Sequence, residues 1–175
     1  MEDRVNKSFD TETSFKTLEL INSWIVAADN KSSILIAFIA LLVGLSGDMY
    51  KNIMDLLDNS GNLIITLVIL FGLMYVAVLS LVIYHLIEVF IARTKEIEIE
   101  EKTNLISYLS IAKLSKSDYI SEVCVTNEEN LRNMILSQIS INSKIATRKM
   151  KHFNKALVFS VIMIPITIVL MILIG

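Results

Sequence analysis

Apolar and charged positions fall into long separate blocks along this 175-residue chain. Three stretches contain no Asp, Glu, Lys or Arg: Ser32–Gly47, Asn59–Ile87 and Ala156–Gly175. A helix crosses the ~30 Å hydrocarbon core of a bilayer in about 20 residues. The second and third stretches meet that length, and the first falls slightly short. The intervening block Glu88–Lys155 is rich in charge and contains neither Gly nor Pro. This pattern predicts an all-α membrane protein, with three transmembrane helices and a cytoplasmic juxtamembrane helical bundle. Residues 1–31 form a cytoplasmic amphipathic helix, and 32–87 hold the first two spans around a short external loop at 48–62. Residues 88–155 form the cytoplasmic helical region, and 156–175 the third span.

Finer periodicities refine this outline. Between Ser14 and Ala28, the residues Phe15, Leu18, Ile21, Trp24, Ile25 and Ala28 fall on one helical face. Nothing breaks the chain before Ser32, so one long helix is expected to rise into the first span, with Lys31 snorkelling at the interface. In that span Ser33, Ala37, Ala40, Gly44 and Gly47 make a stripe of small residues. Small residues let helix backbones approach closely in lipid. The stripe is either a packing face for the chain's own spans or a helix-association seam between copies. Asn59-Ser60-Gly61-Asn62 is a turn cluster that starts the second span.

In the charged block, Arg93–Lys102 reads as helix, although Ile97 and Ile99 alternate with Glu and leave a strand open over 95–115. Ser115-Lys116-Ser117-Asp118 reads as a helix start, and Thr126-Asn127-Glu128-Glu129 as a capping box begun by Thr126. Leu131, Ile135, Ile139, Asn142, Ile145 and Phe153 then mark a stripe that should run unbroken into the third span. Pro165 lies within that span, where neighbouring helices or hydroxyl side chains can absorb it.

Charge adds orientation. Arg4, Lys7, Lys16 and Lys31 precede the first span, whereas the first connection has Lys51 against Asp48, Asp55 and Asp58. The charged block has eleven Lys or Arg against nine acids. Basic residues favour the cytoplasmic side. The N-terminus is therefore expected inside and the C-terminus outside, with Lys144, Arg148, Lys149, Lys151 and Lys155 as the strongest orienting cluster. The first apolar run begins about 30 residues in and no cleavage pattern follows, so no signal peptide is expected. Cys124 is the single cysteine, which excludes a disulfide framework within the chain and suits a small buried apolar residue.

Candidate chemistry is sparse. There is no phosphate-binding glycine loop, no metal-ligand spacing and no nucleophile–base order, so no enzyme is expected. His85 reads as an interfacial residue and not as a metal ligand, and the Glu88–Glu101 acids as a solvated helix face. Trp24, Asp29 and Lys31 form either an interfacial anchor or part of a polar gating node. A carboxylate near lipid requires a partner, and Lys144, Arg148 and Lys149 are the candidates for Asp29. The same bases either flank the span or hold an anionic ligand. Gln138, Asn142 and Ser143 would then supply hydrogen bonds suited to a nucleobase edge.

The segment Trp24-Ile25-Val26-Ala27-Ala28-Asp29-Asn30-Lys31-Ser32-Ser33, leading into an apolar span, resembles the opening of the Pycsar effector family. Ser32 stands where Ala is usual. Tyr108-Leu109-Ser110-Ile111-Ala112-Lys113-Leu114-Ser115 with Asp118-Tyr119-Ile120 is a second match. Gln138, Asn142-Ser143-Lys144-Ile145-Ala146 and Lys149 before the last span are a third. The resemblance implies a transmembrane effector of pyrimidine-cyclase anti-phage defence in the bacterial inner membrane. It implies gating by cyclic CMP or cyclic UMP from a partner cyclase, homo-oligomerisation, membrane impairment and abortive infection. No cofactor and no nucleic-acid polymer are expected. The alternative from the residues is a small membrane anchor or assembly protein whose cytoplasmic bundle binds a protein partner.

Overall fold

A computed structural model describes residues 10–47, 52, 53, 56, 61–91 and 104–174. Every regular element among them is helical, and none is a strand. The helices are α1 (Thr11–Gly47), α2 (Asn62–Ile91), α3 (Tyr108–Ala112), α4 (Lys116–Val125) and α5 (Glu128–Ile174). Of these, α1, α2 and α5 are long and apolar enough to cross a bilayer. The expected fold class therefore holds. Most of the 48–62 connection lies outside the described residues, as does 92–103, which covers most of the stretch where helix and strand were both open. From Tyr108 to Ala112 the chain is helical.

Local chemistry explains where the helices start. Asp10 caps α1, its carboxylate accepting the Thr13 amide at 2.7 Å. Ser115 caps α4 by accepting the Asp118 amide, as its sequence position suggests. At α5 the expected capping residue is off by one. Asn127 Oδ1 accepts the Asn130 amide at 2.8 Å. Thr126 instead turns back and donates its hydroxyl to the Glu122 carbonyl, closing α4. With only two residues between the helices, Thr126 is consumed by the first and Asn127 serves the second. Inside the apolar segments Ser32, Thr66, Ser80, Ser160 and Thr167 each donate to the carbonyl four residues back. Their hydroxyls thus need no partner from lipid. Helix α5 continues through Pro165.

The chain divides into two compact units. The first holds α1 up to Ala27 together with Ile91 and residues 104–148. Its core joins Ile21 and Ile25 of α1 to Ile145 and Ala146 of α5, flanked by Ile139 and Ile141. Asn104 of the same unit is buried. Its Oδ1 accepts the Ile106 amide and its Nδ2 donates to the Met134 carbonyl, which fastens the turn before α3 onto α5.

The second unit holds α1 from Ala28, α2 up to Phe90 and α5 from Lys149. Leu35, Ile39, Val82, Leu86, Ala156 and Met163 form one apolar cluster. Val68, Ile166, Leu170 and Ile174 form another, with Ile53 and Leu56 of the first connection against it. Large apolar side chains point outward from the same helices, among them Ile34, Leu63, Leu73 and Ile172. In water such a continuous apolar surface would drive association. Against hydrocarbon it costs nothing.

Along α1 the buried positions are Ser14, Leu18, Ile21, Ile25, Ala28, Ser32, Leu35 and Ile39. They alternate in steps of four and three, the repeat of a coiled-coil seam. Phe15 and Trp24, expected on the inward face, are off this seam and exposed. A period of 3.5 keeps one narrow line against its neighbours, so residues a step to either side turn outward. Two further expectations are corrected. Cys124 is exposed, because α4 carries no buried residue at all. Glu88 is buried rather than solvated, since it shares the inward face of α2 with His85 and Val89.

Candidate functional site

The first unit contains a cavity of about 360 Å³. Leu18 and Ile25 of α1 with Ile141 and Ile145 of α5 form its apolar wall. Ser107, Tyr108, Leu109, Ser110 and Lys113 line it from the α3 segment, and Asn22, Gln138 and Asn142 add amides. Lys113 brings a cation, Tyr108 an exposed aromatic ring, and Ser107 and Ser110 hydroxyls. Ligand sites of this size are commonly lined by apolar groups with a few convergent polar ones.

The three amides are connected. Gln138 Nε2 donates to Asn142 Oδ1 at 2.8 Å, one turn along α5. Asn142 Nδ2 donates to Asn22 Oδ1 of α1 at 2.7 Å. At the other end of this row Gln138 Oε1 is buried and has no hydrogen-bond partner. Ser143, expected to join the amides, is committed to the Ile139 carbonyl at 2.7 Å.

The second unit has its own layer of polar side chains. Lys149 is almost wholly buried and its ammonium pairs with the Asp29 carboxylate. Of the candidate partners, Lys149 therefore reaches Asp29. The helical rotation that exposes Lys144 turns Lys149 inward. His85 of α2 meets His152 of α5, with Nδ1 to Nδ1 at 3.1 Å. A hydrogen bond there requires one Nδ1 to donate and the other to accept, so the two rings take different tautomers when both are neutral. His85 also lies parallel to the Phe159 ring, with centroids 5.7 Å apart. Among the described residues no group of three or more His, Cys, Asp or Glu could hold a metal ion.

The sequence-predicted residues thus separate. Gln138 and Asn142 line the cavity, and Asp29 and Lys149 form the buried pair. Trp24, Lys31 and Lys144 are exposed, and Arg148 is half-buried. Ser33, Ala37, Ala40, Gly44 and Gly47 all face outward, and a Cβ added at Gly44 or Gly47 would meet nothing within 4 Å. Asn22, Ser107 and Lys113 were not anticipated as wall residues. Asn22 follows Ile21 of the apolar face directly, which is the one local hint of its position. The His85–His152 contact spans 67 residues. Its available signal was that both histidines sit at or near the end of a predicted span.

Residues 13–175 match the Pycsar effector protein domain. The chain is similar to the Pycsar effector protein GmPycTM of Gulbenkiania mobilis, with 27% identity over 191 residues. That alignment covers 99% of this chain and 96% of the relative. No solved structure matches.

Proposed function

This chain belongs to the Pycsar effector family, and from that premise we propose that it is a ligand-gated effector of the bacterial inner membrane. Its role is in anti-phage defence. On this reading cyclic CMP or cyclic UMP, supplied by a partner cyclase, enters the cavity of the first unit. The chain then impairs the inner membrane without catalysis, and the infected cell stops before the phage matures. The N-terminus and the first unit lie in the cytoplasm, the C-terminus outside, and the working form is a homo-oligomer.

The observation that carries the reading is the composition of the cavity wall. A cyclic pyrimidine nucleotide has a flat heterocycle with donors and acceptors along its edge, and one anionic phosphate. The wall offers an amide row, an aromatic ring, hydroxyls and one lysine in about 360 Å³. Two sides of that wall belong to α1 and α5, which also carry candidate spans. A ligand shifts a conformational equilibrium only by its differential affinity for the two states. Moving a population from 1:99 to 99:1 takes about 5.5 kcal/mol of such difference.

Membrane potential in cells expressing the chain, with and without cyclic CMP or cyclic UMP, tests the proposal. Depolarisation that depends on one nucleotide is expected. A silent membrane with both nucleotides, at confirmed insertion, would favour the anchor or assembly protein instead.

A further inference from the structure

We infer that Gln138 Oε1 is the acceptor that reads an N–H on the base of the ligand. The cavity then takes a planar heterocycle with a ring or exocyclic N–H, carried on an anionic phosphate. The inference rests on the reading of this cavity as the nucleotide site.

The amide row is one hydrogen bond short. Gln138 Nε2 is committed to Asn142, and Asn142 in turn to Asn22 on the other helix. Gln138 cannot turn over alone, because that would set its oxygen against Asn142 Oδ1. With the row running in this direction, the end of Gln138 left over is an acceptor sealed from water, and the opposite direction would need all three amides to turn over together. A buried acceptor without a donor has given up its hydrogen bond to water and gained nothing in return. A leucine at 138 would avoid that cost while keeping an apolar wall. The side chain also lines the cavity, and on this inference its oxygen turns to the cavity surface when a ligand binds. A donor from a bound molecule would complete the row.

The exocyclic amino group of cytosine and the ring N3–H of uracil both qualify. Gln138 is accordingly needed for either base and does not choose between them. At the other end of the ligand, Lys113 and the Ser107 and Ser110 hydroxyls are groups that suit a phosphate.

The test uses the full chain purified in detergent and titrated with cyclic CMP and cyclic UMP by calorimetry. Gln138→Leu removes the acceptor. Gln138→Glu retains it, since Asn142 and Asn22 can turn over together to donate toward the carboxylate. Whichever nucleotide binds the wild type should bind Gln138→Leu about 10- to 100-fold more weakly and Gln138→Glu within a few-fold. Analogues with the base N–H blocked, N4,N4-dimethyl cyclic CMP and N3-methyl cyclic UMP, should lose the same factor on the wild type. They should lose nothing further on Gln138→Leu. The analogue arm needs no variant to fold. Equal binding of parent and blocked analogue by the wild type, or full affinity in Gln138→Leu, overturns the assignment while leaving the cavity as the site. If neither nucleotide binds the folded wild type, the cavity reading falls and this inference with it.

Discussion

At the residue scale, the buried charge pair is the most consequential contact. Lys149 is nearly inaccessible, whereas the Asp29 side chain keeps 29% exposure. Removing one partner of a buried pair leaves an uncompensated charge and costs about 3–5 kcal/mol. With Asp29 partly solvated, Asp29→Ala should sit near the lower end, about 3 kcal/mol, read as a fall in thermal stability in detergent. Adding Lys149→Met should recover much of that loss, because no charge then remains buried. Simple additivity of the two variants would refute the pairing argument. Asp10 supplies a pH-dependent contact. The Thr13 amide, donating to its carboxylate, holds Asp10 below the ordinary value of 3.8. A lowered folded-state pKa means the cap contributes fully above that ordinary value and is lost as pH falls through the lower one. Asp10→Asn, which keeps an acceptor, should flatten this acid dependence in an unfolding series from about pH 5 to pH 2. The need of Asp29 for a base was legible from its place at the membrane edge. The choice of Lys149 over Lys144 was not, since it depends on helical phase.

At the element scale, α1 carries two stripes with the same four–three spacing. The line from Ser14 to Ile39 is buried, and the small-residue line from Ser33 to Gly47 faces outward. Both have the period that packs helices, and the sequence does not rank them. Bulk does: Leu18, Ile21, Ile25, Leu35 and Ile39 gain contacts within the chain that Ala37, Ala40 and Gly44 are too small to make. The outward line remains available for close backbone approach between copies. Gly44→Leu meets no atom within 4 Å of its new Cβ, so helicity and insertion should be unchanged. Cross-linking in membranes should then lose its oligomer band if the stripe joins copies. An unchanged band would discard the seam. The one-residue slip in the α5 cap has a similar origin. Thr126 and Asn127 are both capping residues, and the chain assigned them according to where α4 ended.

At the scale of the molecule, the strongest prediction is the nucleotide-dependent depolarisation already set out, since a passive anchor would leave the potential unchanged. Three spans, helical character and a charged bundle could be read from the chain because they follow from local quantities. Uncharged length sets what a bilayer accepts, and period sets which face is buried. The family could be read for a related reason: the resemblance rests on short segments in chain order from Trp24 to Lys149, and the matching domain spans residues 13–175. The cavity, the Gln138–Asn142–Asn22 row and the His85–His152 contact could not be read this way. Asn22 and Asn142 are 120 residues apart, and the two histidines 67. Nothing in the spacing of such residues says that they meet. Packing brings them together when the apolar seams of α1, α2 and α5 close, and the polar groups beside those seams must then find one another, because a buried donor or acceptor has no water to fall back on. Hydrophobic length and period are written residue by residue along the chain, whereas polar partnership is a property of the closed interface.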